Sequence, residues 1–275
     1  MILKPTGAGF GMQIEDIDLN QPISDADAAI IKDALVRNGV VVFHNQQLDP
    51  QPLVDFAKTF GPIEPYGSTL EQYLLPQQKD IIVLSNIVEN GKAIGVVDAG
   101  GFWHTDRSYV AKPAWLSCLY ALEVPFADDG SPLGDTAFAS MTAAFRALPA
   151  AKREMLEKLE AEHQYVFRWS EDNGSMPPVR HPISLKHPVS KEPCLFVNKG
   201  FTHRIPALPE AESRALLDEL FEHATKEEFV YRHKWQKGDV VVWDNYQTQH
   251  LATGGYSLPK RRHLWRTTVQ GFDLQ

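Results

Sequence analysis

The sequence predicts a mixed α+β protein with a double-stranded β-helix (jelly-roll) core and flanking helices. Many short apolar runs of strand type recur along the chain, and the helical segments are grouped at one end and in one insertion. No alternating βαβ pattern is visible, and no glycine-rich phosphate loop of the dinucleotide or P-loop type occurs. These observations favour a jelly-roll barrel carrying extra helices over a parallel α/β fold.

Size and charge narrow the range of functions. The 275 residues fit one domain, 1–275, and the net charge of -8 does not favour a nucleic-acid partner. Cys118 and Cys194 lie in apolar runs, so we expect buried thiols rather than a disulfide. The first ten residues lack a leader pattern, and no apolar run reaches the roughly 20 residues of a membrane span. We therefore expect a cytoplasmic protein without a membrane partner.

The first hundred residues predict two helices, two strands and a loop. Ser24 caps a helix that ends at Asn38-Gly39, and Asp49-Pro50 begins a second helix that ends at Gly61-Pro62. The β-branched and apolar runs 40–43 and 81–84 predict buried strands. We expect residues 62–80 to form a loop, and the glycine-containing stretch 62–100 to supply a lid before the motif at 102–107.

The remainder predicts mostly strands, with three helices. The helices are expected at 140–148, 149–159 and 208–224, with Ser140 as a cap and Pro149 as the first residue of the second. The strands are expected at 116–122, 135–139, 162–169, 183–186, 194–198, 229–233, 240–243 and 263–269. Residues 170–182 are polar and rich in proline, which predicts irregular structure and a second lid loop.

A histidine and an aspartate two residues apart point to a metal ion. In an extended segment His104 and Asp106 project from the same face, so both can bind one ion. The third ligand predicted is His250, which follows an apolar strand. Two histidines and one carboxylate are typical of non-haem Fe(II) oxygenases. Zinc is less favoured because neither cysteine lies near these residues. His181 and His187 flank prolines without a matching carboxylate, and we expect them in loops.

A basic cluster follows His250. On a strand, Arg262 and Arg266 share a face with Leu264 between them, whereas Arg261 lies on the opposite face. Guanidinium groups bind carboxylates through paired hydrogen bonds. Two arginines on one face near a metal-binding histidine therefore indicate sites for two small anions.

At this point the sequence resembles the taurine dioxygenase family, which includes the phenoxyacetate-herbicide dioxygenases. The resemblance extends from about residue 40 to residue 271. It rests on four motifs in the same order: Trp103-His104-Thr105-Asp106, Gly134-Asp135-Thr136, Trp243-Asp244-Asn245 with His250, and Arg261-Arg262 with Arg266.

The resemblance implies a role for each matching residue. His104, Asp106 and His250 would bind Fe(II), while Thr136 and Arg262, or alternatively Arg261, would bind 2-oxoglutarate. Arg266 would hold the acidic group of the prime substrate, and Tyr66 falls near a substrate-contacting histidine of the taurine enzyme. Because that histidine and the contacts around Gly100 are not reproduced, taurine itself is not indicated.

The resemblance implies a reaction that uses Fe(II), 2-oxoglutarate and O2 to hydroxylate a small substrate bearing a sulfonate or carboxylate. Where the hydroxylated carbon carries a C–S or C–O bond, that bond would then break. One alternative is the same chemistry, or desaturation, on an amino acid or a carrier-protein-bound acyl group. A more distant alternative is a non-catalytic jelly-roll binding protein. Relatives of this kind are often dimers or tetramers, so we expect a homo-oligomer.

Overall fold

The computed structural model describes residues 1–97, 100–165 and 176–274. The helices within these ranges are α1 (Asp25–Asn38), α2 (Pro50–Lys58), α3 (Met141–Ala147), α4 (Ala150–Leu156) and α5 (Glu210–Ala224). The strands are β1 (Ile2–Pro5), β2 (Met12–Glu15), β3 (Val40–Phe43), β4 (Leu74–Leu75), β5 (Gln78–Ser85), β6 (Val88–Glu89), β7 (Lys92–Ala93), β8 (Leu116–Glu123), β9 (Thr136–Ser140), β10 (Glu160–His163), β11 (Val179–Pro182), β12 (Ser184–Lys186), β13 (Pro193–Leu195), β14 (Thr202–Arg204), β15 (Val230–His233), β16 (Val240–Asp244), β17 (Thr248–Ala252) and β18 (His263–Val269).

Two sheets carry the candidate site. The larger has eight strands in the order β1-β2-β3-β16-β8-β18-β5-β4, and the smaller has three in the order β15-β9-β17. Their side chains meet in one buried cluster, where Val42 and Leu264 of the large sheet lie with Phe138 and Tyr231 of the small one. This shared core packs β9 and β15 of the small sheet against β16 and β18 of the large one. The mixed α and β composition is confirmed.

The opposite face of the large sheet is covered by α1 and α2. Val41 and Phe43 of β3 point into this second cluster, where they meet Leu35 of α1 and Leu53 of α2. Since both faces of β3 are buried, the strand is a continuous apolar run rather than an alternating one. The predicted strand at 40–43 is confirmed for this reason.

Local capping chemistry sets the ends of the helices. The Ser24 hydroxyl accepts a hydrogen bond from the Asp27 amide at 3.1 Å, and Gly39 ends α1 with a φ of 72°. Ser140 caps α3 by accepting from the Ala143 amide at 3.2 Å. These predicted caps are confirmed.

Several predicted loops contain regular structure. Residues 62–80, predicted to form a loop, include a 3-10 helix at Ser68–Tyr73, the short strand β4 and the start of β5. Residues 179–182, predicted to be irregular, form β11 because they pair with β10, a partner that is distant in sequence. Residues 166–175 lie outside the described residues. They include the end of the strand that was expected at 162–169. Among the described helices, none is long and apolar enough to cross a membrane.

Candidate metal centre

The two predicted histidine ligands face each other across a short β-bridge. The His104 amide donates to the His250 carbonyl at 3.1 Å, and the His250 amide donates back to the His104 carbonyl at 2.9 Å. Their ring centroids are 4.1 Å apart. His250 lies on β17, a strand that the sequence analysis did not predict, and it pairs with Phe138 on β9. Backbone pairing therefore brings together two residues that are far apart in the sequence.

Asp106 completes a group of three possible metal ligands. One ligand atom each from His104, Asp106 and His250 lies within 4.8 Å of the others, and all three residues are buried. The Asp106 oxygens are 3.8 Å from Nε2 of His104 and 3.9 Å from Nε2 of His250. The structure thus brings together the three residues that the sequence analysis selected.

The protonation of the triad suits metal binding. His104 Nδ1 donates to the Phe102 carbonyl at 2.8 Å, which leaves the Nε2 lone pair directed at the centre. Burial lowers the pKa of both His104 and His250, so both rings are neutral near pH 7. Burial opposes ionisation of Asp106, but the Arg266 guanidinium and the hydrogen bond from Ser117 favour the ionised form, and the pKa of that carboxyl lies well below its usual range.

A hydrogen-bonded chain orients the Asp106 carboxylate. Ser117 donates to Asp106 Oδ2 at 2.6 Å and accepts from Asn245 Nδ2 at 3.1 Å. The Asn245 side-chain oxygen in turn accepts from the Asp106 amide at 3.3 Å and from Trp243 Nε1 at 3.0 Å. Neither Ser117 nor Asn245 was assigned a role from sequence. The signal available in the sequence was a serine inside the apolar run 116–122.

A glycine makes room for the His104 ring. Gly100 has a φ of +82°, and a Cβ at this position would lie 2.5 Å from Cε1 of His104. The Gly100 carbonyl also accepts a hydrogen bond from the Ala252 amide at 2.9 Å. The absence of a side chain at this position therefore allows close contact with a candidate ligand.

Arg266 lies directly beside the triad. Its Nη1 is 3.3 Å from Asp106 Oδ1, and its buried Nε has no hydrogen-bond partner among the described residues. Tyr66 donates to the Arg266 carbonyl at 3.0 Å. The two predicted substrate-binding residues are therefore neighbours, and a donor of Arg266 remains available to an anion.

Arg262 lines a cavity of about 180 Å³. Leu84, Val96, Ala252 and Tyr256 line this cavity together with the arginine, whose guanidinium carbon is 5.7 Å from the centre of the Tyr256 ring. Arg262 is 8 % exposed and, in the described part of the chain, takes part in no ion pair. Burial lowers the pKa of Arg262. Because the ordinary pKa of a guanidinium is very high, the side chain still carries its positive charge.

The other two candidates for 2-oxoglutarate binding differ in position. Thr136 is buried and pairs with Ala252, a residue of the Arg262 cavity, while its hydroxyl accepts a hydrogen bond from Trp235 at 2.9 Å. That hydroxyl still has its own hydrogen to donate. Arg261, in contrast, is half-exposed and pairs with Glu123 at 2.9 Å.

His187 lies in the loop after β12, as predicted, but the loop position predicted for His181 and the absence of a carboxylate partner for His187 are wrong. His181 is buried within β11, and the fully buried His187 hydrogen-bonds Asp244 through Nε2 at 2.8 Å. Because His187 Nδ1 accepts from the amides of residues 189 and 190, Nε2 carries the hydrogen and donates to Asp244. This pair anchors the turn between β16 and β17, the strand that bears His250.

The donor set fits iron. Two imidazole nitrogens and one carboxylate oxygen form the facial triad of non-haem Fe(II) oxygenases, which leaves other coordination positions open. A structural zinc site would need four closed ligands, and the group within the described residues has three. The neutral histidines and the ionised aspartate are the protonation states that bind a cation.

Comparison with known proteins agrees with this geometry. The taurine catabolism dioxygenase TauD, TfdA family matches residues 3–268, and the chain belongs to that family. The chain is 35 % identical over 288 residues to the alpha-ketoglutarate-dependent 2,4-dichlorophenoxyacetate dioxygenase of Cupriavidus pinatubonensis, covering 98 % of this chain and 97 % of the relative. It is 30 % identical to the alpha-ketoglutarate-dependent sulfonate dioxygenase of Saccharomyces cerevisiae, covering 95 % of this chain and 65 % of that protein.

Solved structures resemble the whole chain. The crystal structure of AAD-2 in complex with Mn(II) and N-oxalylglycine superposes with a TM-score of 0.86 at 29 % identity, covering 99 % of this chain and 98 % of the other. A taurine dioxygenase from Burkholderia xenovorans gives a TM-score of 0.84 at 29 % identity, covering 98 % and 89 %. The predicted family is confirmed, and the protein is an Fe(II)- and 2-oxoglutarate-dependent dioxygenase.

Proposed function

We propose that this enzyme uses iron held by His104, Asp106 and His250 to hydroxylate a small organic substrate bearing a sulfonate or carboxylate. The observation that carries the assignment is the buried group of three ligand atoms within 4.8 Å of one another. When bound there, iron supplies the oxygen chemistry that couples conversion of 2-oxoglutarate into succinate and CO2 to oxidation of a substrate C–H bond. The residues of the chain supply binding and orientation.

We assign the distal carboxylate of 2-oxoglutarate to Arg262, with Thr136 as a second donor. Support comes from the buried guanidinium with no ion-pair partner in the described residues and from the cavity that contains it. Paired hydrogen bonds from a guanidinium would fix such a carboxylate in orientation. Arg261 is a poorer candidate because it is exposed and already paired with Glu123. The N-oxalylglycine in the related structure has the two carboxylates of 2-oxoglutarate, which supports a pocket of this kind.

We assign the acidic group of the substrate to Arg266, with Tyr66 beside it. The buried Nε–H of Arg266 would otherwise lack a partner, and an unsatisfied buried donor costs about 1–3 kcal/mol. The relatives named for phenoxyacetate and sulfonate substrates act on small acids, which agrees with a cation at this position. Cleavage of a C–O or C–S bond would follow where the hydroxylated carbon carries one.

We further propose that residues 1–275 form one jelly-roll domain, with the segment 62–97 beside the substrate entrance. Residues 98–99 and 170–175 of the two predicted lid loops lie outside the described residues. The shared core between the eight-stranded and three-stranded sheets supports the first part. A cytoplasmic homo-oligomer, a dimer or a tetramer, remains the prediction from sequence.

The test is oxygen-dependent succinate release with Fe(II), screened over sulfonates, aryloxyalkanoates and amino acids. We expect turnover with an acid of the first two classes. Arg262→Gln should raise the KM for 2-oxoglutarate by roughly 10-fold or more, because it removes a charge-assisted pair. Arg261→Gln is the matched control and should leave this KM near its original value. Equal effects of the two substitutions would contradict the assignment of Arg262.

A further inference from the structure

Thr136 lies on the middle strand of the small sheet, between β15 and β17. Its cross-strand partners are His233 on β15 and Ala252 on β17. Directly opposite residues project from the same face of a sheet, so these three side chains point the same way. This face meets the large sheet, because Phe138, two residues further along β9, belongs to the core that the two sheets share. Thr136 therefore has His233 on its β15 side and, next to Ala252, the cavity lined by Arg262 on its β17 side.

Trp235 limits the direction in which the Thr136 hydroxyl can donate. Trp235 Nε1 donates to Thr136 Oγ1 at 2.9 Å, and both side chains are buried. An indole N–H is a donor only, whereas a hydroxyl has one hydrogen that rotates to suit its acceptor. The hydroxyl hydrogen must therefore point away from the indole. Among the described residues Thr136 donates its hydroxyl hydrogen to no other group, so the carboxylate that we assign to Arg262 would be its acceptor.

The indole of Trp235 is itself held in place by neighbouring side chains. The His233 ring meets it edge to face, with ring centroids 4.6 Å apart. Burial opposes ionisation of Asp239, but the hydrogen bonds that it accepts, chiefly from His233, outweigh burial and lower its pKa. His233 Nε2 therefore donates to Asp239 Oδ2 at 2.9 Å, and His233 Nδ1 accepts from the Tyr231 hydroxyl at 3.1 Å. Asp239 also accepts from the Gln236 amide at 2.8 Å, which fixes the backbone directly after the tryptophan.

We propose that Trp235 is a positioning residue for 2-oxoglutarate, and that its indole N–H orients the Thr136 hydroxyl toward the carboxylate bound by Arg262. This inference rests on the proposed function and adds a residue that acts through Thr136. Successive hydrogen bonds polarise one another by roughly 10–30 %, so a hydroxyl that accepts from an indole is also a stronger donor. A hydroxyl that is already oriented loses less rotational freedom when the carboxylate binds.

The test is a double-mutant cycle on the affinity for 2-oxoglutarate, measured by anaerobic calorimetry on the whole protein loaded with Mn(II). Thr136→Val removes the hydroxyl and should weaken binding roughly 10-fold, as expected for a hydrogen bond to a charged group. Trp235→Phe removes the indole N–H and should weaken binding about 3-fold or more when Thr136 is present. In the Thr136→Val background the same change should have less than about a 2-fold effect, because the group that the indole orients is absent.

Trp265→Phe is the matched control. Trp265 is also buried, but its Nε1 has no hydrogen-bond partner among the described residues, and the side chain belongs to the core on the opposite face of the large sheet. This variant should bind 2-oxoglutarate within about 2-fold of the wild type. In Trp235→Phe the affinity for Fe(II) and the KM for the prime substrate should stay unchanged, while the KM for 2-oxoglutarate rises at constant kcat.

Two results would overturn the inference. One is an unchanged affinity for 2-oxoglutarate in Trp235→Phe, and the other is an equal loss of affinity with and without the Thr136 hydroxyl, which indicates a general structural defect. If Trp235→Phe does not fold by circular dichroism, 3-benzothienylalanine is introduced at position 235 by amber suppression and takes its place in the cycle. That side chain keeps the bicyclic shape of tryptophan and has sulfur in place of the N–H.

Failure of the proposed function gives a different result. In that case the wild-type protein binds no 2-oxoglutarate, or Arg262→Gln binds it as tightly as the wild type, and the inference fails together with that function. Weakened binding in Arg262→Gln combined with unchanged binding in Trp235→Phe overturns the inference alone.

Discussion

Gly100→Ala tests how closely the backbone controls the candidate iron ligands. Gly100 has a φ of +82°, and its carbonyl accepts a hydrogen bond from the amide of Ala252, the last residue of β17. An added methyl group would lie 2.5 Å from Cε1 of His104. The substitution therefore perturbs a ligand without removing any donor atom.

Two costs follow from this geometry. A left-handed conformation at a residue with a Cβ costs about 1–2 kcal/mol. The contact with His104 is roughly 1 Å shorter than the 3.5–4.0 Å at which carbon atoms rest, so the ring must move away from the centre. Changes in the groups that orient a ligand typically reduce metal affinity about 10- to 100-fold. We expect a loss of Fe(II) affinity in that range.

The assay is anaerobic calorimetric titration with Fe(II), paired with urea denaturation. Gly91→Ala is the matched control, because Gly91 has a φ of +76° and a Cβ there would meet nothing within 4 Å. Both variants should lose a similar part of their free energy of unfolding from the backbone strain, but only Gly100→Ala should lose metal affinity. If both bind Fe(II) equally well, the packing of Gly100 against His104 does not control the site.

Three other perturbations test different parts of the molecule. Ser117→Ala removes the 2.6 Å hydrogen bond to Asp106 and should lower Fe(II) affinity about 10-fold or more in the same titration, while unchanged affinity would refute that orienting role. Leu264→Ala empties a buried position in the core between the sheets and should reduce the free energy of unfolding by about 2–5 kcal/mol in urea, and a loss below about 1 kcal/mol would contradict tight packing there. The hydrogen bond to Asp239 raises the pKa of His44 against the opposing effect of burial, so this pair stabilises the folded state at pH values below the ordinary histidine pKa and loses its effect as pH rises through the raised value. His44→Gln should therefore lower stability more at pH 6 than at pH 9, measured by denaturation at both pH values, and an equal loss would contradict the linkage.

Local chemistry explains why parts of the fold were predictable. Ser24 and Gly39 act through neighbours within a few residues, so the bounds of α1 follow from short sequence signals. The run 40–43 was recognisable because both of its faces are buried. The strand at 263–269 was predicted with the bounds that the structure has.

Long-range pairing explains what was missed. β17 carries polar residues, and it becomes a strand because it pairs with β9. The burial of His187 also gave no signal in the sequence. Its hydrogen-bond acceptor is Asp244, which lies 57 residues away. The candidate ligands were recognisable by residue type and motif. Their proximity in space depends on the backbone bridge between His104 and His250, which residue spacing does not encode.

The central claim is that His104, Asp106 and His250 together bind one iron ion. The most direct measurement is anaerobic calorimetric titration of the whole protein with Fe(II) in the presence of 2-oxoglutarate. We expect one ion per chain, and loss of that binding in Asp106→Ala and in His250→Ala, with both variants still folded by circular dichroism. Full binding by either variant would contradict it.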